Sequence, residues 1–314
     1  MRDILKIFLR PLLFLKISFF IIRPKILAFL SFRKFLVQEN INNIKRKFTT
    51  RITQIDGNLL HLYDDDYSQI MLDKNNPNEL KHLHYGNATN DEINKMIIKS
   101  VLKPGDTCID VGAYIGSYTL FMANLVGPTG EVFSFEPNKE TITILNNNIA
   151  LNGYENVRLY NHAVGELSGN EKFYKIDKSS GATANSSLVR NEKISGDLKD
   201  FVIEENVNVI TLDDLVENQK IKLIKIDVEG YELNVLRGAK EIISTYRPII
   251  IMEFISNRLE FLQINQIDFK SLLSDYYNAY EISISVKAGR ASLEPFDFER
   301  KVNSGDIVLI PKLQ

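Results

Sequence analysis

Tryptophan is absent from this chain, and cysteine occurs once, as Cys108 within an apolar run. A lone thiol excludes a disulfide framework and a cysteine-based zinc site, and it fits a reducing compartment. Histidine is scarce as well, at four residues. His82 and His84 alternate about Leu83 and can share one side of a strand, yet no third ligand accompanies them. The acidic run Asp64, Asp65, Asp66 lacks the remaining ligand spacing of a calcium loop and reads as a solvated turn. No internal repeat is visible. Long apolar runs are missing too: Arg10, Lys16, Arg23, Lys25, Arg33 and Lys34 break the N-terminal stretch well short of the roughly 18 residues that cross a bilayer. A secretory signal fits no better, since cations continue through the apolar part and no small-residue cleavage site follows.

What is present is a division of charge. Residues 1–51 hold 12 Lys and Arg against Asp3 and Glu39, whereas the remainder holds 26 basic and 38 acidic side chains, so a net charge of −2 hides a basic arm and an acidic body. Residues 1–50, crowded with Ile, Leu and Phe, are expected to lie on an anionic membrane surface. Packing on the body, or on a second copy of the chain as a homo-oligomer, is the alternative. Nucleic acid is not expected, because the aromatics of the arm are Phe in apolar clusters and the body is acidic. The expected location is cytoplasmic, peripheral on the inner face of a membrane. Residues 51–88 read as a small β lid, in which Ile52 to Ile55 and Leu59 to Tyr63 flank the hairpin signal Asp56-Gly57. Residues 89–314 read as one large domain.

That domain is organised around Asp106 to Leu120, DTCIDVGAYIGSYTL. Cys108 to Val111 form a buried strand, Gly112 and Gly116 bracket a turn, and from Ser117 a helical pattern resumes through Tyr118, Phe121 and Met122. The spacing is not the G-x-G-x-x-G of a dinucleotide site. An acid at Asp110 would repel a pyrophosphate and attract an ammonium, which suits S-adenosylmethionine, a ligand with an α-ammonium and a sulfonium and no phosphate. Glu136, at the end of the strand Val132 to Phe135, lies where a carboxylate takes ribose hydroxyls. A nicotinamide oxidoreductase is disfavoured by the same features.

Along the rest of the domain, Thr89-x-x-Glu92 is a capping box for a helix carrying Ile93, Ile97 and Val101. Asn138 caps the helix of Ile142, Leu145 and Ile149, and Asn152-Gly153 closes it. Val157 to Val164 read as a third strand, ending in His162, Ala163, Val164 and Gly165, against which an adenine can lie. Glu171 to Ile176 read as an extra strand, and the polar stretch 177–200, with GATANSSLV at its centre, suits a polyhydroxylated acceptor. Val207 to Leu212 and Lys222 to Ile226 are strands, and the second runs into Asp227-Val228-Glu229-Gly230. Pro248 to Glu253 is a further buried strand ending in an acid, so that Asp227 and Glu253 can project to one side. A helix around Phe269 to Tyr277 precedes an alternating strand at Tyr280, Ile282, Ile284 and Val286, with Ile307 to Ile310 as its hairpin partner. Strand and helix alternate, so the sheet is largely parallel.

From roughly Thr53 to Ser256, and most closely in IDVGAYIGSYTL, FEPN, LNG, HAVGE, TLDDL, IKIDVEGYELNVLRGA and RPIIIMEF, the sequence resembles the FkbM-type S-adenosylmethionine-dependent methyltransferases. The resemblance implies an α/β, class I methyltransferase (Rossmann-like) sheet of about seven strands, mostly parallel with an antiparallel C-terminal strand, and helices on both faces. It implies methyl transfer, usually to oxygen, on sugars or natural products. Asp110, Gly112 and Gly116 match the cofactor turn, with Ala113, Tyr114 and Ser117 inside it. Glu136 matches the ribose acid, followed by Pro137, and Ala163 and Val164 complete the cofactor set. Asp227, Glu229 and Glu253 match the acidic edge facing the acceptor. Tyr114 departs from the pattern, since the family commonly has Asn there. Asp227 is the first candidate for general base, with Glu229, His162 and Glu253 as alternatives. A divalent metal between Asp227 and Glu253 is a second way to acidify a hydroxyl. A non-catalytic S-adenosylmethionine-binding protein is the remaining alternative.

Overall fold

The computed structural model describes residues 51–56, 59–63, 69–73, 90–177, 180, 183–189, 199–215, 219–285, 290–300 and 305–313. The basic arm, Gly57, the run Asp64 to Asp66, His82, His84 and the Thr89 cap lie outside these residues.

Three short strands open the described chain: β1 (Arg51–Asp56), β2 (Leu59–Tyr63) and β3 (Gln69–Asp73). They pair antiparallel in sequence order as a small sheet of their own. The main domain then alternates strand and helix: α1 (Asn90–Val101), β4 (Thr107–Val111), α2 (Ser117–Val126), β5 (Glu131–Phe135), α3 (Lys139–Leu151) and β6 (Val157–Tyr160). The expected N-cap of α3 is present, with Asn138 Oδ1 accepting from Glu140 N at 2.9 Å and Thr141 N at 3.4 Å.

The stretch expected as one strand to Val164 is broken. β6 ends at Tyr160, and Ala163–Val164 form β7 in a different sheet, because Asn161 turns the chain by donating its amide to the carbonyls of Glu136 and Pro137, each at 2.9 Å. β8 (Gly169–Ile176) and β9 (Val202–Ile210) complete this second small sheet in the order β7-β9-β8. The predicted strand at Val207 to Leu212 therefore belongs to the insertion and not to the main sheet.

After the short α4 (Leu212–Leu215) come β10 (Ile221–Ile226), α5 (Glu232–Arg237), α6 (Lys240–Tyr246), β11 (Ile249–Glu253), α7 (Ser256–Phe261) and α8 (Gln266–Leu273). The helix expected at Phe269 to Tyr277 begins earlier and stops at Leu273, and Tyr277 already opens β12 (Tyr277–Ser285). β13 (Arg290–Pro295) and β14 (Asp306–Pro311) end the fold. The hairpin partner of β12 is β13, which sequence reading missed, while β14 inserts antiparallel between β12 and β11.

The main sheet runs β13-β12-β14-β11-β10-β4-β5-β6. Its central strands β11, β10, β4, β5 and β6 are parallel, and β14 opposes them. This is the expected class I methyltransferase sheet of seven strands with one edge strand added. Both faces are covered, so the parallel strands read as near-continuous apolar runs. Ile109, Val111, Ile224 and Ile226 pack with residues of α5, α6, α7 and α8, and Cys108 and Leu223 pack with residues of α1 and α2. The order of strands reverses between β4 and β10, and a ligand binds outside the carboxyl ends of strands at such a switch.

Candidate active site

The cleft opens at that switch point, between Gly112 and Glu136 on one side and Asp227 on the other. Its floor is the junction of two turns. Asp227 N donates to Val111 O at 3.0 Å, and the N–H groups of Gly112 and Ala113 both donate to Phe135 O at 3.0 Å. Gly112 has φ +80°, and a Cβ there would stand 1.8 Å from the carbonyl oxygen of Asp227. Only glycine satisfies both conditions, so the two turns touch through backbone.

On the β4–β5 side, Glu136 is the acid of the cleft. Its Oε2 accepts from Tyr114 N at 3.0 Å and its Oε1 from Asn138 N at 2.8 Å. Burial raises its pKa to about 7, against the lowering effect of those two N–H groups. A ligand that donates to this carboxylate would restore it to the ionised form. Gly112, Tyr114, Pro137, Ala163 and Val164, and the catalytic candidate His162, share the lining with Glu136. Tyr114 adopts φ +51°, a left-handed conformation that Asn tolerates better than other side chains.

Asp110 is placed differently from expectation. Its carboxylate is 1% exposed and does not line the cleft, because the strand pleat turns it toward α2. There Thr119 Oγ1 donates to it at 2.6 Å and lies 2.8 Å from Ser134 Oγ. Burial raises its pKa to about 6, opposed by Thr119 and Lys225. Ala113, Gly116 and Ser117 also stand behind the lining and support the turn.

The β10 side is built from charges. Asp227 and Glu229 line the cleft, and Glu253 joins them so that one oxygen of each lies within 4.8 Å of the others. Arg258, from α7, pairs with Glu229 Oε2 at 2.7 Å and with Glu253. Burial raises the pKa of both glutamates, with Asp227 adding to the effect and Arg258 opposing it. Glu229 sits at φ +58°, a strained position held by its surroundings. Part of that support is Glu232, 3% exposed, whose Oε1 accepts from Gly230 N at 3.1 Å and Val228 N at 3.3 Å. The three carboxylates could ligate a divalent ion, but Arg258 already supplies the positive charge for two of them.

Beneath Asp227 lies Lys225, 1% exposed, with Nζ 3.2 Å from Asp227 Oδ2 and 5.1 Å from the centre of the Tyr118 ring. Burial alone would depress its pKa, but Asp227, Asp306, Asp91 and Asp110 raise it, so Lys225 stays a cation. At the far wall Tyr231 donates to Glu171, 2.9 and 3.1 Å from its two oxygens, and Ser187 Oγ donates to Val228 O at 3.1 Å. The insertion thereby closes over the Asp227 turn. Lys225, Arg258, Glu232 and the Tyr231–Glu171 pair were missed by sequence reading. Of these, Lys225 left a signal, a cation inside an apolar strand two residues before the strand-end acid.

No Lys or Arg lines this cleft among the described residues, whereas three carboxylates, Glu136, Asp227 and Glu229, do. This fits a cationic ligand with hydroxyl donors such as S-adenosylmethionine, and it does not fit a phosphorylated nucleotide.

The model of the methyltransferase FkbM domain matches residues 110–280. A curated relative, Methyltransferase 1 of Beauveria bassiana (strain ARSEF 2860), is 29% identical over 152 residues, 43% of this chain and 59% of that protein, so less than two thirds of the relative's length is spanned. Among solved structures, the FkbM methyltransferase of Methylobacillus flagellatus KT is 13% identical with TM-score 0.40, covering 86% of this chain and 57% of that one. An S-adenosylmethionine-dependent methyltransferase of Aquifex aeolicus is 13% identical with TM-score 0.39, covering 74% and 98%. With the family model spanning more than half of its residues, the chain belongs to the FkbM family of S-adenosylmethionine-dependent methyltransferases.

Proposed function

We propose that this protein moves the methyl group of S-adenosylmethionine to a hydroxyl on a sugar of a glycan or glycolipid, with Asp227 as general base. The cofactor supplies an electrophilic methyl group on sulfur. The protein's part is then to align the acceptor oxygen, exclude water and remove the hydroxyl proton. The observation that carries this reading is the state of the three strand-end acids. Arg258 clamps Glu229 and Glu253, whereas Asp227 faces the cleft with its side chain 40% exposed and beside Lys225. Lys225 Nζ, 3.2 Å from Asp227 Oδ2, holds that carboxylate in place at the edge of the cleft. Glu229, Glu253 and His162 stand behind it as alternatives.

The walls support a neutral, hydroxylated acceptor. Tyr231 spends its proton on Glu171, so it offers lone pairs to the cleft, as do Glu136 and Asp227. Such walls accept from hydroxyls and repel carboxylates and phosphates. Transfer of label from S-adenosylmethionine to a glycan extract tests the reading: Asp227→Asn should lower turnover by about 10²–10⁴-fold while S-adenosylhomocysteine binding survives. Full turnover in that variant would refute the role.

A metal-assisted O-methyltransferase acting on a small natural product is the second reading, favoured by the proximity of Asp227, Glu229 and Glu253. Activity that disappears with a chelator and returns with a divalent ion would establish it. For the arm of residues 1–50, its excess of Lys and Arg among Ile, Leu and Phe supports attachment to an anionic membrane, which would bring the site to lipid-linked acceptors. Sedimentation with anionic vesicles, undiminished on deleting the arm, would count against this.

A further inference from the structure

The small sheet β1-β2-β3 is held by two asparagines, Asn148 of α3 and Asn152 at its C-cap, and the first of them also reaches the cofactor turn. Asn152 Oδ1 accepts from Gln69 N at 2.7 Å and its Nδ2 donates to Gln69 O at 2.6 Å. One turn earlier, Asn148 Oδ1 accepts from Met71 N at 2.7 Å and its Nδ2 reaches Met71 O at 3.4 Å. Residues four apart on a helix rise about 6 Å, and residues two apart on a strand about 6.7 Å. The two carboxamides therefore satisfy the open edge of β3 as a neighbouring strand would. Asn148 does one thing more: its Nδ2 donates to Ile115 O at 2.8 Å, inside the turn between Gly112 and Gly116. It is fully buried. Around this contact Ile70 and Leu72 of β3 pack in one cluster with Ala113, Ile115, Leu120 and Leu145.

We propose that Asn148 is a positioning residue for the cofactor turn, and that docking of β3 through it raises affinity for the cofactor. The small sheet is then part of the cofactor site from behind, and not a lid over its mouth. One carboxamide holds both partners, so displacing Met71 frees Nδ2 and Oδ1 to rotate away from Ile115. The carbonyl of Ile115 would lose its donor, and the turn that places Gly112 and Tyr114 would loosen. Coupling of this kind is reciprocal: the factor by which docking tightens the cofactor equals the factor by which the cofactor tightens docking.

The proposal rests on the cofactor reading above, and the test separates the two. S-Adenosylhomocysteine is titrated calorimetrically into the full-length wild type, Asn148→Asp and Met71→Pro, with thermal melts to establish folding. Met71→Pro removes the N–H that Asn148 accepts and no ladder bond to β2. Asn148→Asp keeps that acceptor and removes the donor to Ile115. Each folded variant should bind at least about tenfold more weakly. In the wild type, saturating S-adenosylhomocysteine should slow hydrogen exchange at the Met71 amide by the factor that Met71→Pro costs in affinity. Wild-type affinity in folded Met71→Pro would overturn the proposal. So would unchanged exchange at Met71, a result that requires no variant. Wild-type protein that binds no S-adenosylhomocysteine would overturn the cofactor reading and this coupling with it.

Discussion

The two turns that meet under the cleft are built by different means. At the end of β4 the turn is made of backbone: Gly112 and Ala113 bond to Phe135 O, and Glu136 is held by the N–H groups of Tyr114 and Asn138. At the end of β10 the turn is made of charge: Lys225 beneath Asp227, Arg258 between Glu229 and Glu253, and Glu232 under Gly230. Backbone bonds fix geometry at any pH. A cluster of buried charges depends on every member, since removing one leaves its partners uncompensated. The first kind of turn suits a cofactor of constant shape, and the second suits proton removal.

Substitutions separate the two kinds, the largest effect coming first. Gly112→Ala combines a left-handed backbone with a collision against the Asp227 carbonyl, and should cost about 3–5 kcal/mol in urea denaturation and abolish S-adenosylhomocysteine binding. Arg258→Met strips Glu229 and Glu253 of their shared cation and should cost about 3 kcal/mol at pH 8. At pH 5.5 the loss should be smaller, because both glutamates already have raised pKa values and take up protons once the guanidinium is gone. Equal losses at both pH values would show that Arg258 acts by packing.

Glu136 gives the cofactor side one pH-dependent feature. Its folded pKa, about 7, lies above the ordinary carboxylate value, so the stability it contributes is greatest in acid and is lost as pH rises through 7. Cofactor affinity should run the other way. The ribose hydroxyls need the ionised form, and S-adenosylhomocysteine should bind up to about tenfold more weakly for each pH unit below 7. Glu136→Gln should bind weakly with a flat pH profile. The smallest effect is at Tyr114: Asn there should be more stable than Val by about 1 kcal/mol in thermal melts, because only Asn accepts φ +51° at low cost.

The same contrast explains what could be read in the sequence. The β4 turn is local: strand, Gly112, Gly116 and helix follow in order, and Glu136 ends the next strand, so its parts were legible from spacing. Asp110 was misplaced because the pleat, which turns it toward Thr119, is decided by which helix covers that face. The β10 turn draws Arg258 from α7 and Glu171 from the insertion, and no spacing rule joins them to Asp227. The break at Asn161 and the edge strand β13 escaped for a similar reason, since each depends on a partner distant in the chain. Tyr114 was visible as a departure from the family pattern, and its left-handed φ is what gives that departure a physical meaning.

Calorimetric titration of S-adenosylhomocysteine into wild type, Glu136→Gln and Asp227→Asn at pH 8 tests most directly whether the two turns divide the work. The account predicts at least about a tenfold loss of affinity in Glu136→Gln and a change of less than about threefold in Asp227→Asn. Equal losses in the two variants, or a larger loss in Asp227→Asn, would contradict it.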